Sequence, residues 1–98
     1  MVGIAATMGR ADPEVLARAP RRAMALLHIA SNPEASNREV AAAIGMADDA
    51  QISRLLARMQ DLGLIFNRTQ AHNHGGANSW QLTADGTRVV RALKESLA

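Results

Sequence analysis

Two histidines one residue apart, His72 and His74, stand in the stretch TQAHNHGGANSW at residues 69–80, which ends on the chain's single tryptophan, Trp80. In a β-strand, a His-x-His pair would send both rings to one face, where a metal ion could sit between them. A protein zinc site needs a third ligand and usually a fourth, and the chain has no cysteine to supply a thiolate. Asp61, Asn78 and Asp85 have suitable side chains, but no spacing brings them to the pair. Gly75-Gly76 place the histidines in a turn, where strand alternation no longer aligns them. The letters HNH also name a nuclease class, but there the residues are dispersed through a metal-binding fold. No metal and no cofactor is therefore expected. Nor does spacing assemble paired carboxylates, a glycine-rich phosphate loop or a Ser-His-acid set, so an enzyme is not expected either.

Arginine is the other residue with chemistry to offer. Of eleven basic residues only Lys94 is lysine, and although the net charge is only +2 the isoelectric point is about 10.4. A guanidinium presents a planar fork of donors that suits phosphate oxygens and guanine edges. An alanine- and arginine-rich composition can also come from base composition of the genome, so position has to carry the argument. Arg21-Arg22 at a helix start, and Arg88, Arg91 and Lys94 on the outer side of the last helix, read as solvated charges. Arg54 and Arg58 differ because of the element that holds them.

The chain of 98 residues, 48% hydrophobic and 20% charged, reads as one small globular domain. No run approaches the roughly 18 apolar residues of a membrane span. The opening MVGIAATMG lacks the basic start and length of a secretion signal. A cytoplasmic protein is expected, with no membrane partner.

Residues 1–11 read as a flexible lead-in and 12–98 as the domain. Asp12-Pro13-Glu14 suits a helix start, and Pro20 forces a fresh helix, predicted over 20–30 with Ala23, Met24, Leu27 and Ala30 inward and Leu26 beside them. His28, near the end of that helix, reads as a polar edge rather than a ligand. Ser36 and Glu39 have capping-box spacing. The short helix they open has Val40, Ala43 and Ile44 as its buried face and Gly45 as its stop. Asp48 or Asp49 caps a longer helix running to Leu62, with Ile52, Leu55, Leu56, Met59 and Leu62 on one stripe. Its opposite face holds Ala50, Arg54, Ala57, Arg58 and Asp61, flanked by Gln51 and Ser53. Residues 64–68 and 79–82 are strand-like, with Phe66 and Trp80 as anchors at the hairpin base. Thr83 caps a last helix, about 84–97, with Val89, Val90, Leu93 and Leu97 inward and Gly86 allowing close approach. The fold class is mainly α with a small β-hairpin: a helix-turn-helix over about 36–62, then a wing over about 64–82.

In NREVAAAIG, ISRLLARMQDLGLI and WQLTADG the sequence resembles winged helix-turn-helix regulators of the MarR-like branch, over residues 20–95. More narrowly it is similar to winged-helix modules found beside TetR-like domains in actinobacterial regulators. The resemblance implies a sequence-specific transcriptional regulator whose partner is double-stranded DNA. It assigns Ala50, Gln51, Ser53, Arg54 and Arg58 to the recognition helix, with Arg58 nearest phosphate. It assigns Asn37 and Arg38 to the DNA backbone, and Arg68 with the His72 and His74 loop to the wing. Histidines there would make binding sensitive to pH. MarR-like proteins dimerise through long terminal helices, whereas the terminal helices here are short. That leaves a homodimer built differently, or one module of a larger protein. Asp48-Asp49, the low net charge and the missing dimer helices point to the alternative, a winged helix used for protein–protein interaction or assembly.

Overall fold

The computed structural model describes residues 19–68 and 78–97. The expected helix start at Asp12, the lead-in and the wing tip with His72, His74, Gly75 and Gly76 lie outside them. In chain order the elements are α1 (Pro20–Ser31), α2 (Asn37–Ile44), α3 (Asp49–Asp61), β1 (Ile65–Asn67), β2 (Trp80–Leu82) and α4 (Ala84–Leu97). Among the described residues, no helix is long and apolar enough to cross a membrane.

Local chemistry sets most boundaries. Pro20 opens α1, where its missing N–H leaves no bond unmade. At the other end the Asn32 carboxamide donates to the His28 carbonyl oxygen at 3.0 Å, closing the last turn. The capping box of α2 is formed in both directions: Glu39 N–H donates to Ser36 Oγ at 3.1 Å, and Ser36 N–H to Glu39 Oε1 at 2.8 Å. Gly45 ends α2 with φ of 73°, a left-handed conformation that costs glycine little. Thr83 caps α4, its Oγ1 accepting from Gly86 N–H at 3.0 Å and donating to the Gly63 carbonyl oxygen at 2.5 Å. One hydroxyl thus ties the start of α4 to the turn that ends α3.

The strands pair antiparallel, with Ile65 opposite Leu82, Phe66 opposite Gln81 and Asn67 opposite Trp80. Side chains opposite each other share a face. Ile65, Asn67, Trp80 and Leu82 therefore face the helices, while Phe66 and Gln81 face away. A third segment joins this ladder, because Trp80 N–H donates to the Ala35 carbonyl oxygen and Glu34 N–H to the Trp80 carbonyl oxygen. The turn between α1 and α2 is thereby fastened to the hairpin. Glu34 adopts φ of 73° to make this bridge, a left-handed conformation uncommon outside glycine.

The core is a single cluster beneath α1, α3 and α4. It includes Leu26 and Ile29 from α1, Val40 and Ile44 from α2, Ile52, Leu56 and Met59 from α3, and Val89, Val90 and Leu93 from α4. Leu64, Ile65 and Trp80 close it from the hairpin side. Three sequence expectations need correcting. In α1 the buried face is Ala25, Leu26 and Ile29, while Met24 is 47% exposed. Residues 23–30 are apolar except for His28, so periodicity leaves the inward face undetermined and packing on α2, α4 and β2 selects it. Ala43 is exposed; a helix of eight residues buries Val40 and Ile44, one turn apart, with Ala41 partly covered. Phe66 is 40% exposed, because strand alternation turns it away from the only face the helices cover. Of the two aromatic residues only Trp80 is buried at the hairpin base.

Gly86 marks the closest approach of α4 to the rest of the domain. A Cβ at this position would overlap the Leu64 carbonyl oxygen, which accepts from Thr83 N–H at 3.0 Å. The clash is with backbone, so no rotamer change relieves it. Gly86→Ala is expected to cost about 3 kcal/mol, the upper part of the range for overpacking. Urea denaturation of the two proteins measures it, and equal stability would show that α4 can shift freely.

Candidate nucleic-acid interface

The helix that carries Arg54 and Arg58 is fixed at its start by Asp48. Its Oδ1 accepts from Ala50 N–H at 2.8 Å and from Gln51 N–H at 3.2 Å, so Asp48 is the cap and Asp49 the first helical residue. An aspartate in this role contributes about 1 kcal/mol. Ile52, Leu56 and Met59 sink one stripe of α3 into the core, with Leu55 and Leu62 at its margins. What remains outward is a continuous face of Ala50, Gln51, Ser53, Arg54, Ala57, Arg58 and Asp61, all exposed. Arg54 and Arg58 stand one turn apart on it. Among the described residues neither pairs with a carboxylate. Arg38 is exposed at the start of α2, across an open cleft that Asp49, Ser53 and Asn78 also line.

Asn37, assigned to the DNA backbone by resemblance, has partners within the protein. Its Oδ1 accepts from Trp80 Nε1 at 2.6 Å and from Asn78 Nδ2 at 3.1 Å. Its Nδ2 lies 3.5 Å from Ser53 Oγ. Asn67 extends the chain, its Nδ2 donating to Asn78 Oδ1 at 2.6 Å and its Oδ1 accepting from Ser79 N–H at 3.1 Å. A buried indole N–H needs an acceptor, and this one finds it 43 residues away in sequence. One carboxamide therefore links α2, the wing base and α3. No local pattern announces the role of Asn67 and Asn78 here. The available signal was that two asparagines flank the loop between the strands while a tryptophan on the inner face lacks an evident acceptor.

Arg68, at the end of β1, pairs with Glu34 at 3.7 Å, both side chains being largely exposed. An exposed pair of this kind is worth at most about 1 kcal/mol and weakens with salt. Among the described residues, no three His, Asp or Glu side chains come together as metal ligands. The His28 ring nitrogen Nδ1 lies 3.3 Å from the Asn32 carboxamide nitrogen.

Helix, short turn, helix with a solvent-facing basic stripe, and hairpin beside it define a winged helix-turn-helix domain. Comparison with known proteins narrows the class. No family model and no curated protein sequence matches the chain. Among solved structures, a MarR family transcription regulator superposes with a TM-score of 0.66 at 30% identity, over 79% of this chain and 49% of that one. The PcaV transcriptional regulator of Streptomyces coelicolor superposes at 0.69 with 23% identity, over 79% and 55%. ZitR of Lactococcus lactis, solved in complex with DNA, superposes at 0.61 with 19% identity, over 76% and 50%. The domain is a MarR-like winged helix. The chain spans about half the length of the regulators it matches.

Replacing Trp80 by phenylalanine keeps the buried ring but removes its donor from Asn37 Oδ1. A loss of about 1 to 2 kcal/mol is expected, the worth of one buried hydrogen bond. Denaturant unfolding reads it, and an unchanged midpoint would show that the indole bond does not stabilise the hairpin.

Proposed function

We infer that this domain binds double-stranded DNA as part of a transcription regulator, with α3 in the major groove and the wing against the backbone. The observation that carries this reading is the outward face of α3. Gln51, Ser53, Arg54 and Arg58 are exposed together on one rigid helix whose other face is locked into the core. A helix fits the major groove of B-DNA, and glutamine, serine and arginine side chains are suited to base edges there. Gln51, Ser53 and Arg54, near the start of the helix, read bases, with Ala50 small enough to let the backbone approach. Arg58, one turn on, meets phosphate. Arg38 supplies a backbone contact from α2; Asn37 supports that surface from behind. On the wing, Arg68 leaves Glu34 for a phosphate, and His72 and His74 lie nearby in sequence. The superposition on ZitR, solved with DNA, supports the reading. Two copies on a two-fold site, as a homodimer or within a longer chain, would give the reach that one helix lacks. Such a protein acts in the cytoplasm and needs no catalytic group.

A second reading, a protein-interaction or assembly module, is favoured by one feature. Asp48 and Asp49 are exposed at the start of α3, and Glu34 neutralises Arg68 at the wing. Both place acid where phosphate would approach.

Titration of duplex DNA at increasing salt separates the two. The DNA reading expects affinity to fall steeply with salt, through release of counterions from the phosphates. Arg54→Ala is expected to relax base preference, by about 1 to 3 kcal/mol at one position. Arg58→Ala is expected to weaken all sequences alike and reduce the salt slope by about one. A salt-insensitive interaction, or two variants with the same effect on specificity, would count against this assignment.

A further inference from the structure

The hydrogen-bond chain behind α3 has a fixed direction, and that direction reaches the reading face. Carboxamide oxygen and nitrogen look alike in shape, so their order must be settled by partners that can act in only one way. Two such partners are present. Trp80 Nε1–H can only donate, so the Asn37 atom 2.6 Å from it is the oxygen. Ser79 backbone N–H can only donate, so the Asn67 atom facing it is also the oxygen. From Asn67 the order runs forward: its nitrogen donates to Asn78 Oδ1, and Asn78 nitrogen donates to Asn37 Oδ1. The two ends agree. Asn37 Nδ2 is therefore the atom turned to Ser53 Oγ, and it offers Ser53 a donor only.

We propose that Asn37 biases Ser53 toward hydrogen-bond donation at the DNA surface, so that Ser53 favours base-edge acceptors over amino groups. Asn37 is a specificity-determining positioning residue, and this rests on the DNA-binding reading of α3. A serine hydroxyl has one proton to give and lone pairs to receive with, and by itself pairs with either kind of base edge. With Asn37 Nδ2 donating to its oxygen, Ser53 keeps its proton for the groove. Among the described residues no acceptor takes that proton. The matching groups in the major groove are guanine O6 and N7, adenine N7 and thymine O4; the cytosine and adenine amino groups are mismatched. The contact from Asn37, long at 3.5 Å, fills one of the two lone pairs of Ser53 and so biases the hydroxyl toward donating.

Asn37→Asp tests the mechanism at nearly constant shape. One carboxylate oxygen still accepts from Trp80 and Asn78, while the other replaces the nitrogen and accepts the Ser53 proton. Ser53 then presents lone pairs to the groove. Base-by-base substitution of a bound duplex is expected to show that wild type prefers an acceptor at one base pair, about fivefold, the worth of one hydrogen bond. Ser53→Ala is expected to flatten that position alone, and Asn37→Asp to turn its preference toward an amino-bearing base. The added charge weakens all duplexes alike and leaves the ranking at other positions intact. An Asn37→Asp protein with the wild-type preference at that base pair overturns the proposal. The free protein gives an independent arm by NMR. Ser53→Ala is expected to move the Asn37 side-chain amide signal and leave the Trp80 indole signal in place; an unmoved Asn37 signal overturns the proposal without reference to DNA. A wild-type protein that binds no duplex, but passes the NMR arm, overturns the DNA reading and the base preference with it while the Asn37–Ser53 contact stands.

Discussion

The hydrogen bond from the Trp80 indole to the Asn37 carboxamide is the constraint on which the geometry of the proposed DNA-facing surface depends. It joins the first residue of α2 to the first residue of β2, two elements 43 residues apart. A two-stranded hairpin with three residues in each strand is not stable by itself in water. Here its returning strand is held three ways: by the ladder to β1, by backbone bonds to Glu34 and Ala35, and by the indole bond. Because Asn78 shares the same acceptor and Asn37 reaches on toward Ser53, the wing cannot tilt without disturbing the helix beside it. Recognition of a duplex by two separate elements needs them to be preorganised, since ordering them on binding would cost affinity.

Beneath that surface, packing divides the labour. Ile52, Leu56 and Met59 are essentially inaccessible to solvent and fix the rotation of α3 about its axis. That rotation decides which side chains remain outside. Asp48 and the Gly63 turn fix its ends, and Gly86 lets α4 lie against the Leu64 carbonyl from below. Arg54 and Arg58 make little contribution to this stability, and among the described residues neither pairs with a carboxylate, which leaves them available to an anionic partner. The charge balance is modest by comparison: acid at Asp48, Asp49 and Glu34 lies close to the same surface. An interface of this kind gains selectivity from geometry more than from bulk attraction.

Much of this architecture was legible in local chemistry. Ser36 with Glu39, Gly45 after Ile44, and Thr83 before α4 are signals confined to a few residues, and the structure forms each of them. The α3 stripe was legible because its polar residues interrupt the apolar ones at helical spacing. The face of α1 was not, since residues 23–30 offer apolar side chains in nearly every direction and only tertiary packing chooses Leu26 and Ile29 over Met24. Phe66 does not form the hairpin-base anchor expected of it, because the strand phase set by Ile65 turns its side chain outward. For the candidate interface, the exposed set on α3 followed from its amphipathic phase. Asn37 did not follow, because its partners Ser53, Asn78 and Trp80 lie 16 to 43 residues away and no sequence period links them. The wing residues His72 and His74 lie outside the described residues, so their part rests on the sequence.

The central claim is that the outer face of α3 reads base pairs. Selection of bound sequences from a random duplex pool tests it most directly, because success yields both the activity and the site. The expected result is enrichment of a defined motif that loses information at one position when Arg54 is replaced by alanine. Recovery of an unenriched pool at low and moderate salt would contradict it, and would leave the acidic rim of Asp48, Asp49 and Glu34 as the better guide to the partner.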